Sequence, residues 1–158
     1  MENETRSLAE HIDAHNLVET TDPGFEKTLF RMASFEGIKN FDDIERELGV
    51  LIRRIRDDTG LIRADFASLV GLSPTVYARY ENAVSSMTVT RLIHLCELLD
   101  LAPDDLVFTL APHLYGPNSE EAEDRLELMR LSRTLSPDAV HDLLQLVKRI
   151  APHSGGSA

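Results

Sequence analysis

The sequence predicts an all-α fold, and three observations carry the prediction. Apolar residues recur at helical spacing, capping residues and stopping glycines punctuate those stretches, and no strand-like alternation of any length is found. A chain of 158 residues has room for one domain with substantial flanking elements. It can bury a core without disulfides or metal. Four parts are expected: an N-terminal helical extension (1–40), a five-helix domain (41–110), a C-terminal helical hairpin suited to dimerisation (111–151) and a small, polar, flexible tail (152–158).

In the extension, Ser7 is placed to cap a short helix through about Leu17, with Leu8 and Ile12 on one face. Pro23 and Gly24 break the pattern. Phe25, Leu29, Met32 and Phe35 then recur at helical spacing and predict a second helix ending near Gly37. These helices either pack on the central domain or form part of a dimer interface.

The central part opens at Asn40, an N-cap with Asp43 three residues on. Ile44, Leu48, Leu51, Ile52 and Ile55 make an unbroken stripe, so this helix runs to about Asp58, and Gly60 ends it. A shorter helix spans Arg63 to Val70 and stops at Gly71. Ser73 opens the next, with Pro74 suited to its first position. A fourth, Thr88 to Leu99, carries Leu92, Ile93, Cys96 and Leu99 along one side. Pro103 starts a fifth, closed by Leu106 and Leu110. Past the joint at Pro112, Gly116 and Pro117, Asn118 and Glu121 suggest a cap, and a helix runs to about Thr134. Ser136-Pro137 opens the last, with Val140, Leu143, Leu144, Val147 and Ile150 on one face.

The informative stretch is Arg63 to Asn82. Two short helices crossing steeply over a tight turn need a small residue where they touch and a glycine at the turn. Ala67 and Gly71 supply them. Phe66, Leu72, Tyr77 and Tyr80 are spaced to anchor the second helix, leaving Pro74, Thr75, Ala78 and Arg79 facing outward. Such a face can enter a DNA major groove with its N-terminal end near base edges.

This stretch, with the Ile52 to Arg56 run before it and Leu92, Leu98, Leu101 and Leu106 after it, resembles the lambda-repressor-like (Xre/Cro-type) helix-turn-helix family over roughly residues 48–107. The resemblance implies a five-helix DNA-binding domain and a transcriptional regulator, repressor or activator. It would act as a homodimer on two half-sites about one helical turn apart. It implies phosphate contact and bracing for Arg63, which stands where the family usually has glutamine. Ser73, Pro74, Thr75, Ala78 and Arg79 match positions that face DNA, although Pro74 cannot donate the hydrogen bond often made there. Arg79 is the candidate for guanine readout. Asn82, Ser85, Ser86 and Thr88 fall where members touch the backbone. Arg56 and Glu81 match a partly buried bridge, so Arg56→Ala is expected to lower the melting temperature. Arg53 and Arg54 are expected to face solvent, with one reaching phosphate. Ala83 stands where the family has glycine, which predicts a strained turn.

Charge pulls the other way. Lys and Arg total 16 against 27 Asp and Glu, a net −11, and residues 41–110 hold 7 basic against 12 acidic side chains. DNA affinity must then come from a local arginine cluster and fall with salt. The same charge motivates an alternative: a helix-turn-helix interaction protein, such as an antitoxin or adaptor, working through a protein partner. No nucleophile-and-base pair, glycine-rich phosphate loop or paired-carboxylate site supports an enzyme, and no cofactor is implied. His11 and His15 have a metal-compatible spacing but no third ligand close in sequence, so no metal site is expected. The single cysteine, Cys96, reads as a core thiol rather than a redox sensor. One cysteine, no secretory signal and no membrane-length apolar run lead to a cytoplasmic expectation.

Overall fold

The computed structural model describes residues 7–151. The tail expected over 152–158, with His153, lies outside the described residues. The chain is mostly helical: α1 (Leu8–Ala14), β1 (Leu17–Thr20), β2 (Leu29–Met32), α2 (Phe41–Asp58), α3 (Arg63–Leu69), α4 (Pro74–Glu81), α5 (Val89–Leu99), α6 (Pro103–Leu110), a 3-10 turn (Pro112–Leu114), α7 (Ser119–Thr134) and α8 (Pro137–Ile150).

The N-terminal part corrects the all-α expectation. Ser7 caps α1 in a full capping box with Glu10, but the helix ends at Ala14 and Leu17 begins a strand. The segment expected to be a second helix is the return strand of an antiparallel hairpin, with Leu17 opposite Met32 and Thr20 opposite Leu29. Short apolar runs fit either period, and here non-local contacts decide. The buried carboxylate of Asp22 accepts from the Gly24 amide at 3.2 Å and from the Phe41 amide, an orphan donor at the start of α2, at 2.8 Å. Arg31 donates to the Lys39 carbonyl at 2.7 Å and lies over the Phe41 ring, 4.3 Å from its centre. The hairpin therefore docks on the first turn of α2.

Between Phe41 and Leu110 local chemistry and packing agree. Asn40, Ser73 and Thr88 accept hydrogen bonds from the third residue of the helices that follow them. The core joins Ile52 of α2, Phe66 and Ala67 of α3, Val70, Tyr77 of α4 and Leu95 of α5, with a second cluster of Leu51, Cys96 and Leu106. On α5 the buried side chains are Leu95 and Cys96, whereas Ile93, expected in the stripe, is half-exposed. Leu92, Leu95, Cys96 and Leu99 satisfy the helical repeat better than a stripe through Ile93. Burial pushes the Cys96 thiol up, as suits a core thiol.

α7 is fastened to this body. Ala122 and Leu126 are buried, and Gly116 lies so close that a Cβ there would come within 2.7 Å of the Ala122 amide nitrogen. Arg130 bonds Asp105 at 2.6 Å and Arg133 bonds Asp104 at 2.8 Å. α8 differs, for none of its residues is buried. The two helices are consecutive, and Leu128 and Leu131 of α7 and Leu144 and Val147 of α8 stay exposed.

Candidate nucleic-acid interface

α3 and α4 meet as the sequence requires. Ala67 is fully buried at the crossing, and the turn passes through Gly71 at φ +69°, a left-handed value that favours glycine. The Leu72 amide closes the turn on the Ala67 carbonyl at 2.8 Å. Tyr77 is buried against Phe66, ring centres 5.1 Å apart. Burial of its phenol raises the Tyr77 pKa. With that side of α4 sunk in the core, Pro74, Thr75, Val76 and Arg79 are exposed and Ala78 is half-buried.

The far end of α4 is held by arginines. Glu81 is buried, and its carboxylate accepts from Arg56 Nε at 2.6 Å and from Arg63 Nε at 2.9 Å. Burial pulls the Glu81 carboxyl up, but hydrogen bonds from Arg56 and Arg63 outweigh it and hold it below its ordinary value. Arg56 is held above its ordinary value, first by the bond to Glu81. It also donates to the Leu61 carbonyl at 2.8 Å, tying α2 to the entry of α3. Arg53 donates to Asn82 Oδ1 at 2.5 Å. Beneath these bonds α2 presses directly on α4: a Cβ on Gly49 would stand 2.7 Å from the Glu81 carbonyl oxygen and 2.8 Å from that of Tyr80.

α4 ends in a Schellman arrangement. The Ala83 amide donates to the Tyr80 carbonyl at 3.1 Å and the Val84 amide to the Arg79 carbonyl at 2.8 Å. Ala83 takes the left-handed position at φ +52°, where glycine is usual. The chain then turns back so that Ser85 Oγ accepts from Arg79 Nε at 3.0 Å.

A helix-turn-helix domain family model matches residues 47–108, less than half of the chain. Residues 47–108 are a helix-turn-helix domain. The match agrees with the lambda-repressor-like resemblance of the same stretch and with DNA binding as the domain's role. No curated protein matches the chain. Among the described residues, no helix is long and apolar enough to cross a membrane.

Within the helix-turn-helix domain, the candidate residues divide into two sets. Thr75, Ala78 and Arg79 share the outward side of α4 with Pro74, and the two Nη groups of Arg79 have no partner among the described residues. The others already hold the protein together. Ser73 Oγ and Thr88 Oγ1 cap α4 and α5, Ser85 steadies Arg79, Asn82 holds Arg53, and Arg63 braces Glu81. Ser86 is exposed in the loop after α4. Arg54 faces solvent as expected, but Arg53 does not: it is half-buried and spent on the end of α4. Arg91 was not among the candidates, yet it ties α5 to α3 through the Val70 carbonyl at 2.7 Å. Gly49 was also missed. A glycine inside an otherwise regular amphipathic helix costs about 1 kcal/mol relative to alanine and so signals a close approach.

Proposed function

We propose that this protein is a sequence-specific transcriptional regulator that binds duplex DNA as a homodimer on a two-fold related operator. The observation that carries the reading is the outward side of α4. Its buried side and both ends are fixed by core packing, the Ser73 cap and the Glu81 arginines, while Arg79 is aimed by Ser85 with both Nη groups open. A guanidinium so held suits the O6 and N7 of guanine, and the Thr75 methyl and Ala78 suit a thymine methyl. Arg63, which gives only its Nε to Glu81, and Ser73 at the start of α4 are the candidates for phosphate.

Binding to random duplex DNA at low and moderate salt, followed by selection of preferred sites, tests the reading. A salt-sensitive complex and a selected two-fold sequence are expected. Arg79→Ala should relax the choice at one guanine per half-site, a loss of about 1–3 kcal/mol. Absence of binding even at low salt refutes it.

The net charge of −11 favours a second reading, an interaction protein such as an antitoxin or adaptor that uses the same fold against a protein partner. Failure to bind DNA combined with a stable protein complex would select it.

A further inference from the structure

We propose that the dimer is built by exchange of α8, each copy laying this helix antiparallel along α7 of the other. The proposal deepens the dimeric part of the reading above and rests on it. α7 is amphipathic in two directions. Ala122 and Leu126 face the body of the protein, whereas Leu128, Leu131 and Leu135 lie half-exposed on the opposite side. α8 carries the matching stripe: Val140, Leu144 and Val147 are between 39% and 46% exposed. A soluble chain seldom leaves two such neighbouring stripes open.

α8 leaves the outer side of its own α7 uncovered, for Leu128 and Leu131 there are 51% and 52% exposed. Leu135 (φ −78°, ψ 152°) and Ser136 (φ −64°, ψ 156°) are both extended. Pro137 disfavours a helical conformation at Ser136, whose hydroxyl is committed to capping α8 through the Ala139 amide at 3.3 Å. Across this two-residue joint no residue of α8 is buried, while α7 is anchored through Arg130 and Arg133.

Charge makes α8 complementary to α7, and since the chain's own α7 is left uncovered, α7 of a second copy is the occupant. α7 begins acidic, with Glu120 and Glu121 in its first turn and Asp124 following, and α8 ends basic, with Lys148 and Arg149 in its last turn. Laid antiparallel, Val140 falls opposite the partner's Leu131, Leu144 opposite the partner's Leu128, and Lys148 opposite the partner's Asp124. The helix dipoles oppose favourably in the same arrangement. Two-fold symmetry makes each contact twice, as a closed isologous interface requires.

The test is the mass of the full chain in solution without DNA, by sedimentation or light scattering at tens of micromolar. The wild type is expected as a dimer and Leu144→Asp with Val147→Asp as a folded monomer, since no residue of α8 is fully buried in its own chain and Leu144 and Val147 are exposed there. Lys148→Asp should weaken the dimer at low salt, and adding Asp124→Lys should restore it. A monomeric wild type, or a dimer indifferent to the Asp pair on α8, overturns the exchange. The two readings fail separately, because DNA retention by a dimer assembled elsewhere would leave the regulator standing.

Discussion

Ala83→Gly should stabilise the protein. Ala83 is the left-handed residue of the Schellman cap that ends α4, at φ +52°, and its amide and that of Val84 close the last turn. For a residue with a Cβ this conformation costs about 1–2 kcal/mol, a penalty glycine escapes. Against that gain stands the greater freedom of glycine in the unfolded chain, about 0.5–1 kcal/mol. The net expectation is a gain of about 0.5–1 kcal/mol, or a rise of about 1–4 °C in melting temperature for a chain of this size. Thermal unfolding followed by circular dichroism reads it directly. The Arg79–Ser85 bond should survive, because the cap geometry is retained. An unchanged or lower melting temperature would refute the argument, since it would mean that the left-handed turn stores no strain.

Three other outcomes follow from the same corner of the fold. Arg56→Ala leaves the buried Glu81 without its closest partner and should cost about 3–5 kcal/mol, seen as a fall in melting temperature of several degrees or more; unchanged stability with weaker DNA binding alone would contradict the bridge. Because the Glu81 carboxyl titrates below its ordinary value, its contribution is complete above the unfolded value of about 4.3 and is lost as pH falls through the folded one. The acid limb of stability against pH should therefore be shallower in Glu81→Gln. Gly49→Ala should reverse the usual sign for a helix interior: the propensity gain of about 1 kcal/mol is outweighed when the new methyl meets two carbonyl oxygens under 3 Å away. Denaturant unfolding should show a loss, and gain of stability would mean that α2 and α4 are free to part.

What could be read from the sequence was local. Asn40, Ser73-Pro74, Thr88, Asn118 and Ser136-Pro137 each open a helix where their capping chemistry places it, because a cap acts within three residues. Gly71 and Ala67 likewise mark the α3–α4 crossing with no need of distant partners. The hairpin over residues 17–32 was hidden because its cause is distant: Asp22 reaches nineteen residues along the chain to the Phe41 amide, and Arg31 reaches the ring of the same residue. The site was hidden in the same sense. Sequence shows that Arg53, Arg63, Asn82 and Ser85 are polar and near the motif, but not that a carboxylate, an arginine or a cap claims them first. Arg56 with Glu81 was readable only through resemblance to a family, and the 2.6 Å bond between them bears that reading out.

The acidic charge is easier to place once the arginines are located. Three of the cations around α4 converge on one carboxylate, Arg53 at 3.6 Å, Arg56 at 2.6 Å and Arg63 at 2.9 Å from Glu81 oxygens. They fix where the helix points at the expense of charge offered to DNA. On the regulator reading few phosphates are neutralised per copy, and since log K falls with log salt at about 0.9 per phosphate, the complex stays salt-sensitive but along a shallower slope than that of a basic DNA-binding protein. Non-specific affinity is then low, and discrimination rests on Arg79, Thr75 and Ala78. One such face is too small for tight binding, so the second half-site must be engaged by a tethered copy, whose effective concentration supplies what the missing charge does not. A protein of this design gains more from dimerisation than a basic one would. The Leu144→Asp, Val147→Asp monomer should therefore lose operator binding far more than its intact α4 alone would suggest.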